Sequence, residues 1–96
     1  MQGLLTGKWL TYEEIPDFRS RGRHFDSSKN EKSRHGESGH EELLFKTIKN
    51  LNEVAKKANM PLVDLANAWP LHTPGVTCVI TGATKASQVR SNAKAV

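Results

Sequence analysis

Apolar and polar positions fall into a regular order only in the second half of the chain. From Glu41 onward Leu44, Ile48, Leu51, Ala55 and Ala58 recur at steps of four, three, four and three, which is the spacing of one face of an α-helix. Glu41 and Glu42 stand in its first turn and Lys56 and Lys57 in its last, as the helix dipole favours. Asn59 suits a left-handed terminator, and Pro61 opens a second helix at its first turn. That second helix, "LVDLANAW" at 62–69, is apolar on most sides, so the pattern predicts a buried helix ended by Pro70. Pro74-Gly75 makes a turn, and "VTCVIT" at 76–81 is a continuous β-branched run, the signature of a strand buried on both faces among parallel neighbours. A closing helix from about Lys85 places Ala86, Val89, Ala93 and Val96 on one side and Gln88, Ser91 and Asn92 on the other.

The first half has no such rhythm. Residues 1–9 combine turn chemistry with a small apolar patch. Residues 10–40 begin with Tyr12 and run into "DSSKNEKSRHGESGH", a Ser-, Gly- and charge-rich stretch that predicts a long loop or disorder. The expected order is thus loop, long helix, short helix, strand, helix. A single strand makes no sheet, so the chain looks like the tail of a larger α/β protein.

Composition narrows the setting. The 96 residues are 36% hydrophobic, little for a domain that must bury a core. Cys78 is the one cysteine, which excludes a disulfide framework and suggests a reducing compartment. No leader-like segment and no membrane-spanning run is evident, so a soluble, cytoplasmic protein with no membrane partner is expected. The net charge of +4 would suit a polyanion. Its cations, however, concentrate in Arg19, Arg21, Arg23, Lys29, Lys32 and Arg34, within the unpatterned stretch.

Candidate chemistry centres on 79–92. A strand that ends at Gly82 and passes into a helix aims backbone N–H groups at an anion. Thr84 and Lys85 would donate to a phosphate, while Gln88 and Asn92 would bond a heterocycle or sugar lying along the helix. Taken alone, the same residues read as an ordinary βα turn with a solvated helix face. His35, Glu37 and His40 have no tight ligand spacing and read as loop residues. Cys78 and Trp69 read as core. A different class is a small basic helix-turn-helix DNA-binding module, imitated by "LNEVAKKANMPLVDLANAW". Its second helix offers only Asp64 and Asn67 to a duplex and no lysine or arginine, which argues against nucleic acid as a partner.

Six segments carry a resemblance: "GLLTGKW" at 3–9, "IP" at 15–16, "SRGRHF" at 20–25, "LANAWPL" at 65–71, "PGVTCVITGA" at 74–83 and "SQVRSN" at 87–92. Together the segments resemble the C-terminal third of an aldo-keto reductase, in the bacterial-type and potassium-channel-β-like branch, over nearly the whole chain. The resemblance implies an α/β fold, a C-terminal piece of a (β/α)8 TIM barrel that binds NADP(H) and passes hydride to a small carbonyl substrate. Residues 1–9 would be the end of strand 7 and the cofactor loop, 10–40 a long flexible loop, and 41–96 a helix-helix-strand-helix unit with 76–81 as strand 8. Gln2, Gly3, Leu4 and Lys8 would lie along the pyrophosphate. One arginine among Arg19, Arg21 and Arg23, with Arg21 preferred, would reach the phosphates. Gly82, Thr84, Lys85, Gln88, Ser91 and Asn92 would hold the adenosine and its 2′-phosphate. Pro61 and Pro70 depart from the family, which usually has a hydroxyl cap and an aliphatic residue there. The family's catalytic Asp, Tyr, Lys and His belong to early strands that this sequence lacks, so no catalytic residue is assigned, and neither Tyr12 nor His24 fills such a role. By itself the chain is expected neither to fold cooperatively nor to reduce aldehydes, since one strand cannot close a barrel.

Overall fold

The computed structural model describes residues 3–95. Four short 3-10 turns, at Leu4–Thr6, Tyr12–Glu14, Asp17–Arg19 and Ser27–Lys29, precede three α-helices, α1 (Glu41–Lys57), α2 (Leu62–Leu71) and α3 (Ala86–Lys94). The expected α/β fold is overturned, because the described residues contain no strand. Residues 76–81 are irregular and solvated, with Ile80 97% exposed and Cys78 exposed as well. A β-branched run becomes a strand only where a neighbour supplies a matching row of N–H and C=O groups, and no described segment lines up beside it. The expected end of strand 7 is likewise a 3-10 turn, bracketed by Gly3 (φ 88°) and Gly7 (φ 69°) in the left-handed region. Val96, expected on the apolar side of the last helix, lies outside the described residues.

Helix α1 buries Phe45, Ile48 and Ala55, with Leu44 and Leu51 packed at the border of the core. It ends as the sequence predicts. Asn59 takes φ 53°, its N–H donates to the Lys56 carbonyl (2.9 Å), and the Met60 N–H donates to the Ala55 carbonyl (3.0 Å). That pair of reversed bonds is a Schellman motif. Pro61 then serves as the N-cap of α2. Helix α2 departs from expectation in two ways. Pro70 lies inside its last turn, which is closed instead by bonds from His72 N–H to Trp69 O (3.2 Å) and from Thr73 N–H to Pro70 O (3.0 Å). The helix also buries only Leu62 and leaves Trp69 73% exposed. It is nonetheless the hub of the chain, since it packs against α1, against α3 and against the Leu4–Thr6 turn.

The core joins α1 and Leu62 to Leu4, Trp9, Ile15 and Phe25. Phe25 is the deepest aromatic, at 1% exposure; Tyr12 meets it edge-on at 5.6 Å and Phe45 packs beside it at 6.4 Å. Polar side chains hold this irregular wall. Buried Asn30 donates through Nδ2 to the Asp17 carbonyl (2.9 Å), to Asp17 Oδ1 (3.1 Å) and to Ser20 Oγ (2.7 Å), and its Oδ1 accepts from the Lys32 N–H (3.0 Å). Residues 37–40 fold back beside 24–27: Ser27 N–H donates to Glu37 O (3.0 Å) and His40 N–H to His24 O (2.9 Å). Gly39 makes this return possible. It takes φ +70°, and a Cβ there would run into the backbone of Phe25 and Asp26. Glu41 fastens the return to α1, its Oε1 accepting from the Asp26 N–H (2.8 Å) and from Lys29 Nζ (3.1 Å). Burial by itself would raise the Glu41 pKa, but the hydrogen bonds from Asp26 and its own backbone, with Lys29, outweigh it and hold the carboxyl below the ordinary range. No helix among the described residues is long and apolar enough to cross a membrane.

Candidate functional site

Where α2, the solvated segment 79–84 and α3 converge with the Leu4–Thr6 turn, they leave an open cleft of about 570 Å³. Gly3, Gly82, Thr84, Gln88 and Asn92 line it, so five positions expected to hold cofactor come together although they lie at opposite ends of the sequence. Among the described residues no aspartate or glutamate side chain lines this cleft, and Arg19 is the one charged side chain that does. Leu4, by contrast, is buried in the core. Lys8 is exposed and rests over the Trp9 ring at 5.7 Å. Lys85 and Ser91 are exposed and do not line the cleft. Gln2 lies outside the described residues.

Arg19, and not Arg21, reaches the cleft. Its guanidinium sits 5.3 Å from the Trp9 ring and 5.2 Å from the Phe18 ring, near enough for cation–π attraction to fix its plane. Gly3 permits this approach. A Cβ at Gly3 would stand 3.1 Å from the Trp9 ring and 3.2 Å from an Arg19 terminal nitrogen. Arg21 instead pairs with Asp17 at 3.4 Å and lines a separate hollow, while Arg23 pairs with Glu37 at 3.1 Å.

The polar side of α3 has a local explanation. Gln88 Oε1 accepts from the Thr84 N–H (2.7 Å), the Thr84 hydroxyl (3.1 Å) and the Lys85 N–H (3.1 Å). It thereby satisfies amides that the first turn of a helix leaves without carbonyl partners. This is half of a capping box, because the N-cap Lys85 carries no side-chain acceptor with which to return the bond. Asn92 Nδ2 donates to Thr81 Oγ1 (3.3 Å) while its Oδ1 accepts from Asn67 Nδ2 (3.1 Å). That relay fastens 79–84 and α3 to α2. Asn67 thus lines the cleft although the sequence motifs did not place it in a binding role; its signal was a lone amide on a helix whose one charged residue is Asp64.

His35, Glu37 and His40 serve local bonds. His35 Nδ1 accepts from the Glu37 N–H at 3.3 Å, and Glu37 is taken by Arg23. Among the described residues no group of three His, Cys, Asp or Glu side chains is gathered as a metal site.

Comparison with known proteins agrees with the motifs. The model of the aldo/keto reductase family matches residues 2–96, and the chain belongs to that family. It is similar to a probable voltage-gated potassium channel subunit beta of Oryza sativa subsp. japonica, 34% identical over 93 residues, which cover 97% of this chain and 26% of the relative. A protein of the same description from Arabidopsis thaliana is 40% identical over 53 residues, 55% of this chain and 16% of the relative. The chain therefore spans about a quarter or less of the length of these relatives. No solved structure matches it.

Proposed function

We propose that this chain supplies the NADP(H)-holding wall of an aldo/keto reductase, a protein that transfers hydride to the carbonyl of an aldehyde or ketone. The observation that carries the reading is the cleft that unites Gly3, Gly82, Thr84, Gln88 and Asn92 with the guanidinium of Arg19. Its donors suit a dinucleotide. Arg19 presents a planar fork that pairs with phosphate oxygens through two bonds at once, already oriented by Trp9 and Phe18. Gly82 has nothing within 4 Å of where its Cβ would be, so a ligand meets bare backbone there, and the Thr84 hydroxyl stands beside it. Gln88 has its oxygen committed to the helix start, which leaves its Nε2 to donate to an adenine nitrogen or a ribose hydroxyl. When bound, the nicotinamide supplies the hydride. The residues of this chain bind and orient the adenine-side half, and hydride transfer depends on residues of a longer reductase. By itself the 96-residue chain is expected not to turn over aldehydes.

Calorimetric titration with NADPH tests this. Arg19→Gln should weaken binding roughly 10- to 100-fold, the range for losing a hydrogen-bonded charge on phosphate. Arg23→Gln, whose partner is Glu37 away from the cleft, should leave affinity within about twofold. Equal affinities for the wild type and Arg19→Gln, or no saturable heat at all, would remove the cofactor from this cleft.

A further inference from the structure

From Thr73 to Thr84 the sequence carries no charged side chain. Within this stretch, no hydrogen bond among the described residues involves a backbone N–H or C=O group of 77–83. The Thr81 hydroxyl is held by Asn92, but the main chain beside it is not held. The side chains at 76, 77, 79, 80 and 81 are β-branched. Ile80 is 97% exposed, and Val76 and Cys78 are exposed with it. In extended backbone such a segment offers two edges, with the N–H and C=O groups of alternate residues on each. One edge is closed. The Val76 N–H donates to the Thr73 carbonyl (3.1 Å) across the turn at Pro74 and Gly75, and the groups of 76, 78 and 80 share that edge. The edge of Thr77, Val79 and Thr81 is open.

Water can satisfy these amides one at a time, but it leaves Val76 and Ile80 wet. The run 76–81 also has no charge and no proline, the usual devices that keep an exposed edge from pairing. A row that matches it must itself be unpaired, uncharged and β-branched. Among the described residues the chain holds no second segment of that kind; a second copy does. We propose that two copies of this chain pair through 76–81 as a two-stranded antiparallel ladder about a two-fold axis. Thr77 exchanges both main-chain bonds with the partner's Val79, and the axis passes between the two Cys78 side chains. The antiparallel sense sets Ile80 beside the partner's Val76. It also sends the two Lys85 side chains to opposite ends, so copies that each carry a net charge of +4 meet where neither is charged. Because the turn at 73–76 closes the other edge, the isologous contact stops at two copies. So short a ladder buries less than about 1,200 Å², the lower bound of a standard interface, which gives a Kd on the order of 10–100 µM.

Sedimentation velocity of the 96-residue chain without nucleotide, from about 5 µM to about 1 mM, should show monomer giving way to dimer. Over the same range, hydrogen exchange at the Thr77 and Val79 amides should slow by about tenfold as the dimer fills, with the Cys78 and Ile80 amides little changed. The register brings the two Cys78 Cα atoms to about 4.5 Å, within disulfide reach, so diamide should trap a reducible dimer. Thr77→Pro takes a main-chain donor from each copy, and Ile80→Lys sets a charge beside the partner's Val76. Each should weaken association about tenfold or more. Thr77 and Ile80 are exposed and their N–H groups bond nothing within the described residues, so the amides of α1 should keep their dispersion in both variants. A monomer at every concentration, a dimer whose Thr77 and Val79 amides stay unprotected, growth past two copies, or variants that associate like the wild type would each overturn the proposal. No nucleotide is present, so none of these results bears on the cofactor cleft.

Discussion

Gly39→Ala isolates what fixes the long irregular wall. At φ +70° a side chain is itself unfavourable, costing about 1–2 kcal/mol in left-handed backbone. The new methyl would also overlap the backbone of Phe25 and Asp26, so the two segments must part. Separating them puts at risk the Ser27–Glu37 and His40–His24 bonds and the Asp26–Glu41 bond, each contributing about 0.5–1.5 kcal/mol. A loss of about 3 kcal/mol follows if half of that bonding fails. Although one chain cannot close a barrel, the core around Phe25, Phe45 and Ile48 gives it a transition to follow; at about 4–8 °C of midpoint shift per kcal/mol, Gly39→Ala should melt about 12–24 °C lower by circular dichroism. Two other glycines separate the contributions. Gly75 has φ +87° but nothing within 4 Å, so Gly75→Ala should show only the backbone cost, about 1–2 kcal/mol. Gly36 has open space and no left-handed φ, so Gly36→Ala should be neutral or stabilise by up to about 1 kcal/mol. If Gly39→Ala melts together with Gly36→Ala, residues 37–40 do not lie against 24–27 and the wall is not built as described.

Three further expectations probe the same scaffold. Asn30→Asp, which replaces the buried Nδ2 donor facing Asp17 with a second carboxylate, should destabilise by about 3 kcal/mol at pH 7 and by visibly less at pH 4 in urea titrations. The Glu41 carboxyl, lowered in the folded state, contributes stability that is fully present above the ordinary glutamate value of about 4.3 and is lost as pH falls through its folded value. Glu41→Gln should therefore flatten the acid limb of the stability profile, and an unchanged limb would contradict the assignment. Gln88→Ala should cost the start of α3 about 1 kcal/mol, read as roughly fivefold faster hydrogen exchange at the Thr84 and Lys85 amides, with the amides of α1 unaffected.

Regular elements with local causes were legible. The 4-3-4-3 spacing of Leu44 to Ala58, the acidic start and basic end, and Asn59 followed by Pro61 mark α1 and its stop through short-range geometry alone. The run at 76–81 misled because β-branching records suitability for a pleated surface, while a strand exists only when another segment pairs with it. Helix α2 misled for a similar reason: its apolar faces describe what it is able to bury, and the described neighbours bury Leu62 fully and Leu65 only in part. The wall at 10–40 left no periodic trace, since it is organised by one asparagine side chain, one left-handed glycine and one glutamate at a helix start. Phe25, a lone aromatic amid serines and charges, was the remaining clue to its inward side. In the cleft, the motifs pointed to Gly3, Gly82, Thr84, Gln88 and Asn92. The resemblance preferred Arg21 among the three arginines, whereas it is Arg19 that lines the cleft, its plane set by the rings of Trp9 and Phe18.

The relay from Asn67 through Asn92 to Thr81 has a mechanical meaning. Helix α3 has no buried residue, so it is moored by a thread of amides and not by an oily seam. On warming it is the piece that should let go first, long before the knot around Phe25 loosens. A guest wedged beneath it would act as a doorstop, and the stiffness of this corner would then report occupancy.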